Sequence, residues 1–302
     1  MGSPASLPNS TTMTDPVPIL AGVHEVADDY DAFIVDLWGV IHDGDRLYPG
    51  VVEALAGLRA GGRQTCLLSN VPRRLPAVRS RLQGMGLHDE AYDHLMSSGE
   101  MTYSALADRS IEDHKALGDR FLHIGGPDDG DVVDGLAYEK VATMATADFI
   151  LNSGIRSPEE TVEHLDELLT EAADRSLPMV CANPDLVVMR GGRLGLCAGA
   201  IAARYEKVGG AVIYHGKPTR GVYDRCLELL GHPEPTRILA IGDSFRTDIR
   251  GAAALGFDSL FVTHGIHADE LLRDGKPDGR AIAEAGGREG ARPTYAIGSL
   301  VW

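Results

Sequence analysis

The stretch Phe33-Ile34-Val35-Asp36-Leu37-Trp38-Gly39-Val40 joins a run of apolar, strand-favouring residues to a carboxylate and then to a glycine. An unpaired charge is costly to bury, so Asp36 is expected at the end of a buried strand rather than inside the core. Open α/β sheets collect their ligands at the carboxyl ends of strands, where a carboxylate can act as a nucleophile or a metal ligand. Taken alone, the stretch favours a turn aspartate that closes a strand.

Three other apolar runs of the chain also end in polar groups, and they change this interpretation. The groups are Ser69-Asn70, the loop that carries Lys217, and Asp243. In a parallel sheet the carboxyl ends of the strands share one edge, so all four ends would point to the same crevice although they lie far apart in the sequence. The sequence therefore predicts that Asp36, Lys217 and Asp243 meet in one pocket.

The order of strand-like and helix-like segments indicates the fold class. Strand-like runs alternate with segments whose apolar residues recur at helical spacing, as over Gly50–Ala60 and from Pro218 to about Leu230. This alternation is typical of an α/β fold with a doubly wound parallel sheet. A glycine- and aspartate-rich patch at Gly125–Gly135 predicts the edge of an inserted α/β domain, in which Ser157–Glu160 opens a helix.

These boundaries divide the chain into four predicted segments. They are a disordered lead at 1–16, a first part of the core at 17–107, the inserted domain at 108–205, and a second part of the core at 206–302. The strand-like run Ala211–Tyr214 is thereby assigned to the core sheet. The glycine- and arginine-rich stretch Gly275–Pro293 is predicted to be a surface excursion.

The charge and the cysteines exclude several classes of protein. The formal net charge of −16 argues against nonspecific binding to nucleic acid or to an anionic membrane. The four cysteines are scattered without a CxxC pair, which favours buried free thiols over a zinc site or disulfides. No apolar run is long enough to span a bilayer, and the first residues do not have the features of a signal peptide. We therefore expect a cytoplasmic protein.

The residue types in the predicted pocket point to phosphoryl chemistry. A pair of carboxylates suits a hard cation such as Mg²⁺, which prefers oxygen ligands and usually keeps waters for a phosphate. Lys217 would supply a positive charge to phosphate oxygens, and the hydroxyl of Ser69 can donate a hydrogen bond to the same group. One carboxylate would attack phosphorus while the cation screens its charge from the anionic substrate.

Four motifs of this chain resemble those of the haloacid dehalogenase superfamily. Each follows a strand-like run and they occur in the same order, which makes the resemblance specific. The insertion between the second and third motifs is similar to the cap of class IIA members, the group of nucleotide, sugar-phosphate and 4-nitrophenyl phosphate phosphatases. The resemblance extends from about Val17 to the end. The motifs are Asp36 in a DxxGV frame, Leu68-Ser69-Asn70, Gly216-Lys217-Pro218, and Gly242-Asp243-Ser244 through Thr247-Asp248.

The resemblance implies a Rossmann-like core with an inserted cap, a Mg²⁺-dependent phosphatase of a small phosphorylated metabolite, and a role for each motif residue. Asp36 would be the nucleophile that forms an aspartyl-phosphate. Ser69 would bind the transferring phosphoryl group with support from Asn70, and Lys217 would stabilise its charge. The implied ligands of Mg²⁺ are Asp36, the backbone carbonyl of Trp38, Asp243 and, directly or through a neighbour, Asp248.

The inserted cap would close over the leaving group and select it, with Asn183 and Asp185 near its loop. Caps in this family often pair, which implies a homodimer through the cap. A simpler interpretation of Asn183-Pro184-Asp185 is an Asx-type turn. His123 and His215 are better interpreted as structural histidines than as metal ligands.

One position departs from the pattern of the family's phosphatases. They carry a second aspartate two residues after the nucleophile, where it protonates the leaving oxygen and later activates water, and here that position is Trp38. An indole cannot exchange a proton near neutral pH. General acid–base help is worth roughly 10²–10⁴ in rate, so weak activity is expected unless His42, Asp43 or Asp45 on the adjacent loop replaces it.

Two other functions compete with the phosphatase. Dehalogenases of the superfamily carry an aromatic residue at the position of Trp38 and attack carbon without a metal, but Asp243 and Asp248 would then be idle. Alternatively, the protein binds a phosphate or nucleotide and has lost turnover together with its acid–base residue.

Overall fold

The computed structural model describes residues 15–302 except 111, 127, 128, 130, 158, 191 and 192. Most of the predicted lead, residues 1–14, lies outside this part of the chain. The strands, in chain order, are β1 (Ile19–Leu20), β2 (Ala32–Asp36), β3 (Gln64–Ser69), β4 (His94–Ser97), β5 (Arg120–Ile124), β6 (Glu139–Val141), β7 (Phe149–Asn152), β8 (Met179–Cys181), β9 (Val187–Arg190), β10 (Arg193–Leu196), β11 (Val212–Tyr214), β12 (Ile238–Gly242), β13 (Asp258–Val262), β14 (Leu272–Arg273), β15 (Lys276–Pro277) and β16 (Tyr295–Ile297).

The helices vary in length from single turns to about three turns. They are α1 (Val51–Ala60), α2 (Leu75–Gly84), α3 (Ser98–Asp108), α4 (Glu112–Lys115), α5 (Asp166–Asp174), α6 (Ala198–Lys207), α7 (Arg220–Leu229), α8 (Arg250–Leu255), α9 (Ala268–Leu271) and α10 (Gly279–Arg288). A π-helical turn at Phe245–Ile249 precedes α8, and short 3₁₀ turns occur at Val23–Glu25, Ala27–Asp29, Asp89–Ala91, Asp131–Val133, Met144–Thr146, Val162–Leu165 and Pro235–Arg237.

A parallel sheet of seven strands forms the core, in the order β1-β16-β13-β12-β2-β3-β4. Every residue of β2 is buried, because helices cover both faces of the sheet. Phe33 and Val35 pack on one face with α1, whereas Ile34 packs on the other face with α7. The predicted α/β fold with a doubly wound parallel sheet is confirmed.

A second parallel sheet lies in the insertion, in the order β11-β8-β7-β5-β6, and a separate hairpin of β9 and β10 accompanies it. The helices α5 and α6 pack on this sheet through Leu169, Ile201 and Tyr205. The structure thus has a cap region with its own hydrophobic core, as expected from the sequence.

The strand at 212–214 belongs to this second sheet and not to the core, so its predicted assignment is wrong. Val212, Ile213 and Tyr214 pair with Met179, Val180 and Cys181 of β8. The cap region therefore extends to about Tyr214, beyond the predicted boundary at 205. An apolar run predicts a strand but does not tell which sheet receives it. The other predicted boundaries stay predictions.

Two local predictions also differ from the structure. The stretch Gly275–Pro293 is not a surface excursion, because α10 buries Ile282 and Ala283 against Phe245 and Phe261. In the cap, no helix begins at the described residues of 157–160; a 3₁₀ turn starts at 162 instead. Glu160 bonds to the backbone and guanidinium of Arg156 and does not cap a helix.

The four cysteines are free and buried, as predicted. No helix among the described residues is long and apolar enough to cross a membrane.

Candidate active site

Three neighbouring strands of the core sheet end in the predicted site residues. β2 ends on Asp36, β3 on Ser69, and Asp243 directly follows β12. These strands lie side by side in the order β12-β2-β3. Their parallel direction places the polar ends at one edge of the sheet, where open α/β sheets bind ligands. The predicted convergence of distant residues on a single crevice is therefore present.

Asp248 reaches the same crevice from the π-helical turn at Phe245–Ile249. Its Oδ2 accepts a hydrogen bond from the backbone N–H of Ser244 at 3.2 Å, which fixes the carboxylate. Asp36, Asp243 and Asp248 are all buried, and one oxygen of each lies within 4.8 Å of the others. Three carboxylates thus share one small and largely buried volume.

Lys217 enters this cluster from the cap side. It follows β11 of the second sheet, yet its Nζ lies 2.5 Å from Asp36 Oδ1 and 2.8 Å from Asp248 Oδ1. The lysine also donates to the carbonyl of Leu68 at 3.3 Å. The prediction that Lys217 lies close to Asp36 and Asp243 is confirmed. The strand that precedes Lys217, however, belongs to the cap sheet and not to the core sheet.

Two glycines leave room for Asp243. Gly39 has φ +80°, and a Cβ there would lie 2.0 Å from Asp243 Oδ2. A Cβ on Gly265 would lie 1.9 Å from the same oxygen. The backbone N–H of Ile266 donates to this oxygen at 3.2 Å. The glycine of the DxxGV frame is therefore needed both for its left-handed backbone and for the space that the carboxylate fills.

Burial and mutual repulsion raise the pKa of two of these carboxyl groups. For Asp36, burial raises the pKa, Lys217 opposes this effect, and the charges of Asp248 and Asp243 add to it, so that the pKa lies well above its usual value. For Asp243, burial and then the charge of Asp248 raise the pKa to about 7. One lysine does not offset three carboxylates, and Asp36 and Asp243 therefore retain protons more readily than exposed carboxyl groups do.

The lysine responds in the opposite direction to the same charges. Burial lowers the pKa of Lys217, but the carboxylates of Asp248, Asp36 and Asp185 outweigh burial, and its pKa lies well above the usual value. The ammonium is therefore charged at neutral pH. A buried cation of this kind is stable only where carboxylates surround it.

The donor set fits Mg²⁺ on chemical grounds. Asp36, Asp243 and Asp248 offer three buried carboxylates within reach of one ion, and carboxylate oxygens are the hard ligands that Mg²⁺ prefers. The predicted fourth ligand, the backbone carbonyl of Trp38, stays a prediction.

Ser69 and Asn70 differ in what they offer to a ligand. Ser69 Oγ accepts a hydrogen bond from the N–H of Val71 at 3.2 Å, so its own proton can point into the cavity that it lines. The amide of Asn70 donates to Asp185 Oδ1 at 2.9 Å and to the carbonyl of Lys217 at 3.1 Å, and it accepts from the N–H of Lys217 at 2.7 Å. Asn70 therefore holds the loop of Lys217 and has no N–H group left for a substrate.

The two cap residues occupy a turn, as the simpler interpretation had it. Asn183 Oδ1 accepts from the N–H of Asp185 at 2.9 Å, which is an Asx-type arrangement. Asp185 is engaged by Asn70 and links the cap to the core. Asn183 lines the cavity, and it is therefore the better placed of the two to meet a leaving group.

Trp38 joins the loop after β2 to the cap hairpin. Its indole Nε1 donates to the carbonyl of Met189 in β9 at 2.8 Å, and its ring meets the edge of His42 with 5.2 Å between centroids. Asp43 caps its own loop, since Oδ1 accepts from the N–H groups of Asp45 and Arg46. The three residues proposed to replace the missing aspartate, His42, Asp43 and Asp45, all line the same cavity, and of these His42 is buried.

A cavity of about 600 Å³ lies between the core and the cap. Core residues on its wall include Trp38, His42 and Ser69, and cap residues include Ser153 and Asn183. The sequence analysis did not find Ser153. The signal was present, because Ser153 directly follows the apolar run of β7, much as Ser69 ends the apolar run of β3.

Comparisons with known proteins agree with this fold. The profile of a family described as haloacid dehalogenase-like hydrolase matches residues 33–139, and a second, HAD-hydrolase-like profile matches residues 214–285. A dihydroxyacetone phosphatase of Corynebacterium glutamicum (strain R) is 26% identical over 89% of each chain. A glycerol phosphate phosphatase of Mycobacterium tuberculosis, solved with magnesium, has a TM-score of 0.64 and 22% identity over 91% of this chain and 76% of its own.

A solved hydrolase of the haloacid dehalogenase-like family from Brucella suis 1330 is more similar to this chain than these two phosphatases are. It is 33% identical to this chain, covers 93% of it and 100% of its own length, and superimposes with a TM-score of 0.80. Identity at this level over nearly the whole chain shows common membership. The protein therefore belongs to the haloacid dehalogenase-like hydrolase family.

Proposed function

We propose that the protein is a Mg²⁺-dependent phosphatase of a small phosphorylated metabolite, of the sugar-phosphate or nucleotide class, and that it is a class IIA-like member of its family. The observation that carries the proposal is the buried contact of Lys217 with Asp36 and Asp248 beside Asp243. A buried carboxylate held by a lysine at a strand end is arranged for attack on an electrophile that carries negative charge. The names of the phosphatase relatives support the same reaction class.

The reaction has two displacements at phosphorus. In the first, an oxygen of Asp36 bonds to phosphorus, and the bond to the leaving oxygen breaks. In the second, water attacks phosphorus, the bond to Asp36 breaks, and phosphate and the free carboxylate result. Lys217 holds Asp36 in position and offsets charge on the transferring oxygens, and the hydroxyl of Ser69 donates a hydrogen bond to one of them. These assignments are proposals.

Asp36, Asp243, Asp248 and the backbone carbonyl of Trp38 would hold Mg²⁺. The ion supplies positive charge that lets an anionic nucleophile and an anionic substrate approach each other.

Protonation of the leaving group is the weak step. Trp38 cannot donate a proton to oxygen. His42 does not replace it at neutral pH, because burial, followed by the charge of Arg81, lowers the pKa of His42 to about 4. We infer that turnover is weak and favours leaving groups that depart without a proton. Asp43 and Asp45 stay hypotheses, and unchanged turnover in both Asp43→Asn and Asp45→Asn would remove them.

The experiment is a screen of phosphate release from phosphorylated metabolites and 4-nitrophenyl phosphate, with and without Mg²⁺. Asp36→Asn and Lys217→Met are expected to abolish release, whereas Asp224→Asn, a matched change on the exposed side of α7, is expected to retain it. Release that persists in Asp36→Asn would contradict the proposed nucleophile. Phosphate release that is unchanged after removal of divalent cations would contradict the proposed dependence on Mg²⁺.

A phosphate-binding protein without turnover is the second candidate, and the indole of Trp38 at the acid–base position favours it. Thermal stabilisation by Mg²⁺ plus vanadate, with no phosphate release from any substrate, would support this candidate. A dehalogenase is less well supported, because Asp243 and Asp248, which could hold a cation together with Asp36, would have no role in a reaction without a metal. Halide release without Mg²⁺ would favour it. A homodimer through the cap and a cytoplasmic location remain proposals.

A further inference from the structure

The cap sheet presents its own strand ends to the cavity. β5, β7 and β8 are parallel neighbours, and their carboxyl ends lead into Gly125, Ser153 and Asn183. Ser153 and Asn183 line the cavity opposite Ser69 of the core. The cavity is therefore bounded by the carboxyl edges of two parallel sheets, and a phosphate ester held at Asp36 would place its leaving group against the cap edge.

Ser153 lies at the end of a chain of side-chain hydrogen bonds in the cap. Lys140 Nζ lies 3.3 Å from His123 Nδ1, and His123 Nε2 lies 2.8 Å from Ser153 Oγ. A lysine ammonium can only donate, so His123 Nδ1 accepts. The neutral imidazole then carries its proton on Nε2 and donates it to the oxygen of Ser153. Burial, with a further contribution from Lys140, lowers the pKa of His123 to about 4, which agrees with a neutral ring.

These hydrogen bonds run from Lys140 through His123 to Ser153. The hydroxyl of Ser153 can therefore donate its own hydrogen bond to a further acceptor. Within the described protein, the carbonyl of Ile124 is in range, at the long distance of 3.4 Å. Ser153 is 3% exposed, and the same carbonyl already accepts the backbone N–H of Ser153 at 2.8 Å. Gly125 maintains the space, because a Cβ there would lie 2.0 Å from Ser153 Oγ and 2.6 Å from His123 Nε2. The hydroxyl is thus held as a donor in the cavity wall.

We propose that Ser153 is a specificity-determining residue that donates a hydrogen bond to an oxygen of the leaving group, and that His123 and Lys140 position it. The preferred substrates are then phosphate esters of polyols or of hydroxy-carbonyl compounds, the chemistry of small sugar phosphates, rather than esters of hydrocarbon alcohols. This inference rests on the proposed function in one respect, that the phosphoryl group lies at Asp36.

The test measures binding in the Asp36→Asn protein with Mg²⁺, so that turnover is not required. Calorimetry compares glycerol 1-phosphate with n-propyl phosphate, which has the same three-carbon chain without the two hydroxyl groups. A neutral hydrogen bond contributes about five- to tenfold in affinity. We expect Ser153→Ala to raise the dissociation constant of glycerol 1-phosphate by this factor and to reduce the ratio between the two ligands accordingly. Ser110→Ala, a serine outside the cavity, is the matched control.

His123 is tested in the same way for a positioning role. His123→Ala should reduce the ratio between the ligands, and His123→Gln should restore it, because the glutamine amide can donate at the position of Nε2. A general loss of structure would weaken both ligands equally and would leave the ratio unchanged.

The outcomes separate this inference from the proposed function. A ligand ratio that Ser153→Ala leaves unchanged, or no measurable binding of glycerol 1-phosphate at millimolar concentration, would overturn the inference even if the wild type releases phosphate. A ratio that falls as expected, in a protein whose wild type releases no phosphate from any ester, would support the inference and overturn the phosphatase.

Discussion

Gly39 shows how one residue type serves both backbone and side-chain geometry. Gly39→Ala would strain a backbone at φ +80° and would also drive a Cβ into Asp243. Gly62→Ala is the matched control, because Gly62 has φ +72° and no heavy atom within 4 Å of an added Cβ. We expect Gly62→Ala to lose about 1 kcal/mol of unfolding free energy and Gly39→Ala to lose more.

The measurement is urea unfolding of both variants, together with Mg²⁺ titration. Only Gly39→Ala should weaken Mg²⁺ binding, since it alone displaces a carboxylate of the proposed site. Equal effects of the two substitutions on Mg²⁺ affinity would contradict the proposed role of Asp243.

Trp38 gives a second prediction at the scale of the residue. Trp38→Asp would place a carboxyl group at the position where the family's phosphatases hold their acid–base residue. General acid–base catalysis contributes about 10²–10⁴ in rate, so turnover of alkyl phosphates should rise much more than turnover of 4-nitrophenyl phosphate, whose leaving group needs no proton.

The control is Trp38→Phe, which removes the bond to Met189 without adding an acid. A rise in alkyl phosphate turnover in Trp38→Phe as well would show that loosening of the cap, rather than proton transfer, is responsible. No rise in Trp38→Asp would contradict the view that the missing acid limits the rate.

The hairpin β9–β10 is the element that Trp38 stabilises. Because the indole donates to the carbonyl of Met189, its loss should raise the frequency of local opening of β9. Hydrogen exchange measured by mass spectrometry should show faster exchange at 187–189 in Trp38→Phe. Trp302→Phe changes an exposed tryptophan and should leave this segment unchanged. Unchanged exchange in Trp38→Phe would mean that the hairpin is held by other contacts.

Individual strands and helices differ in how well the sequence predicts them. Strands such as β2, β3 and β12 were predictable, because a strand buried on both faces is a continuous apolar run and its polar end marks the ligand edge. The partners of β11 were not predictable, since its three residues carry no information on which sheet they join. The helix α10 was missed because its buried face uses alanine and glycine, which also occur in loops.

The candidate site was predictable to a similar extent. Asp36, Lys217, Asp243 and Asp248 came together as expected because motif residues lie at fixed places relative to the strands. The roles of Asn70 and Asp185 were not visible, because both depend on a contact between core and cap that is formed by residues 115 positions apart.

The raised pKa of Asp243 makes the stability of the whole molecule depend on pH. The folded state raises the pKa of Asp243 from 3.8 to about 7, so between these values the folded state binds more protons than the unfolded state. This group's contribution to stability is therefore present at low pH and is lost as pH rises through about 7.

The measurement compares wild type with Asp243→Asn in the absence of Mg²⁺, since other groups titrate in both proteins. The unfolding free energy of the wild type should fall relative to that of Asp243→Asn as pH rises from about 4 to about 7. Saturating Mg²⁺ should abolish this trend, and Mg²⁺ affinity should increase over the same range. A difference that does not vary with pH would contradict the raised pKa.

Lys217 lies in the loop after the last strand of the inserted region, although its ammonium contacts Asp36 of the core sheet. The insert therefore positions one residue of the proposed reaction centre, whereas Asp36, Ser69 and Asp243 belong to the core. In a chimaera that replaces this insert with one from a relative, we expect a junction after Lys217 to preserve the position of the lysine better than a junction within β11. Recombination within the family is accordingly expected to succeed when the insert and its trailing loop move together.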